Sequence, residues 1–175
     1  GLHPGSGKGA TKEQTAKRWP VDRFEKTLLI LSEALSGSVI VFCGPDEEDL
    51  RERLHCFADE NGLEDVYFPR QPILRTAALI GRCDAMLSGD TGLMHVATAL
   101  GVPSVALFGP TNPDRTGPPW PDCRIVTSPT STCLHCLDYP FTTTGSSVEC
   151  REQTCWDGLT PLMVADEVMD VLDCA

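Results

Sequence analysis

The chain has 175 residues, of which 41% are apolar, enough for one α/β unit with a sizeable core. Its net charge of −11 hides an asymmetry: residues 1–26 hold six basic side chains (Lys8, Lys12, Lys17, Arg18, Arg23, Lys26) against three acidic ones (Glu13, Asp22, Glu25), and the remainder is strongly acidic. A surface of that sign excludes general nucleic-acid binding, and no apolar run is long enough to cross a membrane, nor is there a signal-peptide pattern.

In chain order, Gly1-Leu2-His3 reads as the end of a strand, which suggests a piece of a longer protein. His3 to Lys17 is a loop containing Gly, Ser and Thr, without apolar periodicity. Phe24, Leu28, Leu31 and Leu35 recur at helical spacing after Pro20, so an amphipathic helix is expected over 21–35. Residues 38–43 (SVIVFC) form a strand, and Gly44-Pro45-Asp46 turns into a second helix carrying Leu50, Leu54 and Phe57. A short strand at 66–68, a helix over 73–83 and a strand at 84–88 follow. Gly89-Asp90-Thr91-Gly92 is turn chemistry with a cap-type side chain, before a helix with Leu93, Val96, Ala97 and Leu100 on its spacing. Gly101-Val102-Pro103 stops that helix, 104–108 is a buried strand, 124–126 another strand, and 161–172 a last helix.

Strands separated by single helices pair in parallel through right-handed crossovers. Ligands of such sheets bind beyond the carboxyl ends of the strands, where 3–17, 44–46, 90–92 and 109–112 all fall. The Gly5-Ser6-Gly7 turn ahead of a basic cluster is therefore a candidate phosphate site, against the usual meaning of a short charge cluster as a solvated loop. Asp90 is either a helix N-cap or a ligand contact, and both roles can coexist. Asp46 has the same two readings, with Glu47 as its substitute. The fingerprint G-x-G-x-x-G follows none of the expected strands, which argues against a nicotinamide-dinucleotide dehydrogenase.

The motif Asp90-Thr91-Gly92-Leu93-Met94-His95, then Gly101-Val102-Pro103, then Gly109-Pro110-Thr111-Asn112-Pro113, resembles the pattern of glycosyltransferase family nine, the ADP-heptose:lipopolysaccharide heptosyltransferases. The opening His3-Pro4-Gly5-Ser6-Gly7 and Lys17-Arg18-Trp19-Pro20 are similar to the same family, so the resemblance runs from Leu2 to about Leu172. It implies a Rossmann-like parallel sheet flanked by helices, the C-terminal half of a GT-B enzyme. Residues 1–175 would be the nucleotide-sugar domain, with the N-terminal acceptor domain absent. It implies ADP-heptose as donor and a lipid A–core acceptor reached through the missing domain. No cofactor and no metal are implied, and the setting is the cytoplasm at the inner face of the inner membrane, with peripheral membrane contact. Among the residues, it places Lys17 on the diphosphate as the catalytic cation, with Arg18 as substitute, and Asp46 on the ribose. Gly5, Ser6, Asp90, Thr91, Gly92, Leu93 and His95 complete the binding set, His95 toward Asp90 or the diphosphate.

Nine cysteines remain, five of them between Cys123 and Cys155. Cys133, Cys136, Cys150 and Cys155 have a spacing loose for zinc. The reading adopted is a structural cluster peripheral to function; the alternatives are a zinc-stabilised interaction module and a different nucleotide-sugar enzyme of the GT-B fold.

Overall fold

A computed structural model describes residues 1–6, 16–137 and 153–174. The elements are β1 (Leu2–His3), α1 (Val21–Ala34), β2 (Val39–Ile40), α2 (Glu48–Glu60), β3 (Val66–Tyr67), α3 (Ile73–Ile80), β4 (Met86–Gly89) and α4 (Gly92–Ala99). They continue with β5 (Ser104–Leu107), α5 (Pro113–Thr116), β6 (Cys123–Val126), a 3₁₀ turn (Thr154–Trp156) and α6 (Pro161–Asp173).

All pairings are parallel. Strands β1-β4-β5-β6 form one ladder and β2-β3 another. A parallel bridge between Leu2 and Val41, with the Phe42 N–H donating to the Leu2 carbonyl at 2.8 Å, joins the two. The resulting order, 3-2-1-4-5-6, is that of doubly wound dinucleotide-binding sheets. The chain leaves β1 toward β2 on one side and returns to β4 on the other, so a crevice opens beyond the carboxyl ends of β1 and β4.

Alternation along the strands feeds two cores. Leu87, Val105 and Leu107 face a core built with Leu28 and Leu31 of α1 and Val164, Ala165 and Val168 of α6. Met86 faces the other side, with Ile80 of α3 and Ala97 of α4. Burial on both faces explains the short apolar runs at 85–87 and 105–108 in and beside β4 and β5.

The expected elements are present, with shifted ends. Helix α1 stops at Ala34, leaving Leu35 as its cap, and α3 ends at Ile80 rather than 83 because Gly81 caps it. The strand expected over 38–43 is regular at Val39–Ile40, and the Val41 N–H still donates to the Tyr67 carbonyl of β3 at 2.8 Å. Two elements were not anticipated, α5 and the 3₁₀ turn. The second carries Trp156, buried and lying where a Cβ at Gly109 would come within 2.7 Å of its ring. Trp156 Nε1 donates to the Ala16 carbonyl at 3.3 Å, and Arg23 donates to the carbonyls of Trp156 and Leu159. The C-terminal segment therefore braces the residue just before Lys17.

Candidate functional site

Trp19 anchors the first loop. Its ring is buried, edge-on to Phe24 at 5.0 Å between centroids. With Ala16 and Trp19 both held in the core, Lys17 and Arg18 are presented from a short fixed bridge at the crevice. The Lys17 ammonium lies 3.2 Å from Asp90 Oδ2, with the two side chains 25% and 8% exposed. Thr116 of α5 donates its hydroxyl to the same oxygen at 3.2 Å. Both donors converge on Oδ2, and among the described residues nothing donates to Oδ1. The two donors on Oδ2 hold the carboxylate in one orientation.

Asp90 is not the N-cap of α4. Thr91 is: its backbone is extended and its hydroxyl accepts from the Met94 N–H at 3.4 Å. Asp90 and Thr91 are both good caps by residue type, but the Asp90 carboxylate is engaged with Lys17 instead. The N–H groups of Gly92 and Leu93 have no acceptor among the described residues, so the positive end of α4 faces the crevice. A Cβ at Gly92 would meet nothing within 4 Å, which leaves this approach unobstructed.

A cavity of about 480 Å³ adjoins this helix end, within the range of small-ligand sites. Gly44, Pro45, Asp46 and Glu47 form one wall, Gln71, Ile73 and Thr76 another, and Thr91, Gly92, Leu93 and Val96 the third. His3 and Cys43 also line it. Burial pushes the Cys43 thiol up to about 12, so this side chain is a neutral wall and not a nucleophile.

The expected binding residues divide into three groups. Lys17, Asp90, Thr91, Gly92, Leu93 and Asp46 gather around the crevice and its cavity. Asp46 is exposed on the cavity wall, and Glu47, not Asp46, occupies the N-cap position of α2, without a side-chain capping bond. His95 is exposed on the first turn of α4 and has no hydrogen bond to Asp90. Gly5 and Ser6 lie at the carboxyl end of β1 but are turned inward. The Ser6 N–H donates to Glu47 Oε1 at 2.9 Å, and its hydroxyl accepts from Arg18 Nε at 3.0 Å. Gly7, Lys8 and Lys12, the rest of the expected basic loop, lie outside the described residues, as does Cys150 of the cysteine group. Cys155 is buried in the main core and Cys133 is exposed. Among the described residues, no group of three or more metal-ligating side chains is placed to hold an ion.

Thr116 is a residue that sequence reasoning did not single out; His3 entered only as part of the opening motif and Glu47 only as a substitute for Asp46. His3 is buried with its Nδ1 2.7 Å from the Phe42 carbonyl, so Nδ1 carries the proton and donates. Burial lowers its pKa, with Glu47 opposing the shift less strongly. A histidine less basic when folded binds fewer protons than in the unfolded chain, so it costs stability as pH falls below the ordinary value of about 6.5 and not above it. We expect the unfolding midpoint to decline below that pH and His3→Asn, which retains a donor for Phe42, to flatten the decline. Urea titrations of both proteins between pH 5 and 8 check this, and identical slopes would refute it.

Residues 7–145 match the family model of glycosyltransferase family 9 (heptosyltransferase). The sequence is 26% identical over 172 residues to lipooligosaccharide heptosyltransferase 2 of Campylobacter jejuni, covering 96% of this chain and 49% of that protein. The fold superposes on Escherichia coli ADP-heptose lipopolysaccharide heptosyltransferase II with a TM-score of 0.76 at 24% identity, over 99% of this chain and 46% of that one. It also superposes on the E. coli heptosyltransferase WaaC solved with ADP, with a TM-score of 0.68 at 19% identity, over 97% and 43%. The chain spans about half the length of the curated relatives it matches.

Proposed function

The chain belongs to glycosyltransferase family 9, and from that premise we propose that it is the donor-binding half of a GT-B heptosyltransferase, holding ADP-heptose for transfer to the lipopolysaccharide inner core. The observation that carries the reading is the convergence of the Lys17–Asp90 pair and the open N-terminus of α4 on one crevice, next to a cavity of nucleotide size. The adenosine occupies the cavity against Ile73, Leu93 and Val96, and Asp46 accepts from the ribose hydroxyls. The diphosphate lies across the α4 N-terminus within reach of Lys17. The heptose sits beside Asp90, whose Oδ1 accepts from a sugar hydroxyl.

Bond cleavage at the anomeric carbon leaves growing negative charge on the departing ADP. A positioned ammonium and unpaired backbone N–H groups stabilise that charge in the manner of an oxyanion site. The acceptor hydroxyl attacks from the opposite face and inverts the anomeric centre. The base that takes its proton, and the lipid A–core binding surface, belong to the other half of such enzymes. We propose that transfer takes place on the cytoplasmic side, at the inner face of the inner membrane, with peripheral contact, a reading that follows from the lipopolysaccharide acceptor. Among the described residues no helix is long and apolar enough to cross a membrane.

Calorimetry against ADP, ADP-heptose, other nucleotide sugars and NAD tests the assignment. ADP-heptose should bind more tightly than ADP, and both far more tightly than NAD. Preference for NAD, or no response to any nucleotide, would overturn it.

A further inference from the structure

Lys17 and Arg18 are adjacent, yet each meets a different buried carboxylate, from turns on opposite sides of β1. Lys17 meets Asp90, after β4. The Arg18 guanidinium lies 3.9 Å from Oε1 of Glu47, after β2, and its Nε donates to the Ser6 hydroxyl. The Ser6 N–H donates to the same Oε1, so Glu47, Ser6 and Arg18 close a ring. The second oxygen, Oε2, accepts the Gly44 N–H at 2.7 Å. One carboxylate, 2% exposed, thereby ties the turn after β1 to the turn after β2. The fit is close: a Cβ at Gly5 would lie 1.9 Å from Oε1, so only glycine allows the carboxylate in.

A carboxylate this buried persists only with donors and a compensating cation. His3 is not that cation, because burial lowers its pKa. Among the described residues the cation beside Glu47 is Arg18. We propose that Glu47 is a positioning residue for the diphosphate end of the donor site: through Arg18 it fixes the backbone that presents Lys17, and through Ser6 and Gly44 it fixes two turns beside the nucleotide cavity. Arg18 on this account is a strut and no substitute for Lys17. The proposal rests on the donor-binding reading and assigns Gly5 and Ser6 to the shape of the site.

Glu47→Gln preserves volume but presents one oxygen where two N–H donors need acceptors. Calorimetry with ADP and with adenosine, on Glu47→Gln, Arg18→Gln and the double variant, distinguishes positioning from general scaffolding. Each single change should weaken ADP about tenfold, adenosine less than about twofold, and the double variant should be no worse than the weaker single, as expected of residues acting as one unit. Equal losses for ADP and adenosine, or additive losses in the double variant, would overturn the proposal. A readout free of ligand and substitution is amide hydrogen exchange in the unsubstituted protein: the Ser6 and Gly44 amides should exchange slowly, and exchange at the rate of an unstructured chain would also overturn it. Failure of the unsubstituted protein to bind ADP is a separate result, which removes the donor-binding reading itself.

Discussion

Replacing Lys17 by alanine should lower the rate of sugar transfer by about tenfold to a hundredfold, from the roughly 1.5–3 kcal/mol of a hydrogen bond to a charged group, and should weaken ADP binding less. The asymmetry follows from where charge develops. In the bound donor the diphosphate shares its charge with the sugar linkage, and as that bond breaks the negative charge nearest Lys17 grows. An interaction that strengthens toward the transition state appears in turnover more than in ground-state affinity. The ammonium is well placed for this, since Asp90 and the buried anchors Ala16 and Trp19 confine it, leaving its side chain 25% exposed. Steady-state kinetics of the transfer reaction in the full-length, two-domain enzyme, beside ADP calorimetry, measure both quantities. If ADP affinity falls by as much as turnover, Lys17 binds product and substrate alike and does not favour departure of the leaving group.

Legibility of the fold tracked the range of the interactions involved. Helix α1 could be read from Phe24, Leu28 and Leu31 because its buried stripe repeats within the element itself. β4 and β5 could be read because burial on both faces writes short apolar runs at 85–87 and 105–108. Strand ends were less legible: Val39 and Ile40 pair with β3, Val41 donates its N–H to Tyr67 of β3 while bridging Leu2 of β1, and the Phe42 N–H goes to β1, a sharing of partners that no local pattern marks. The same distinction runs through the site. Asp90 and Thr91 announce a turn before a helix, but which of them caps it depends on Lys17, 73 residues away in the chain. Glu47 sits in the run Asp46-Glu47-Glu48-Asp49, which reads as a helix start where Glu47 is only a substitute for Asp46. Its burial is decided by the Ser6 amide 41 residues earlier and by the guanidinium of Arg18. Thr116 was hidden for a similar reason, since it acts from a four-residue helix with no apolar face to predict it.

The shared oxygen Oδ2 makes Asp90 and Lys17 a single device, and this sets the second large effect. Asp90→Ala should weaken ADP-heptose binding by about tenfold to a hundredfold, on the same scale for a charged hydrogen bond, because Oδ1 loses its contact with the sugar. ADP alone should lose less, since it has no sugar to hold, but it should still lose something. Without Oδ2 the Lys17 ammonium and the Thr116 hydroxyl are both released from their common acceptor. Part of the damage of Asp90→Ala is therefore damage to Lys17. Residues that share a partner do not contribute independently, and coupling between contacting groups is of the order of 0.5–3 kcal/mol. The Lys17→Ala/Asp90→Ala double variant should consequently bind ADP little worse than Lys17→Ala alone, while ADP-heptose binding falls below that of either single variant. Calorimetry of the four proteins with the two ligands closes the cycle. Additive losses for ADP would mean that Asp90 does not orient Lys17, and equal losses for ADP and ADP-heptose in Asp90→Ala would mean that its carboxylate does not touch the sugar.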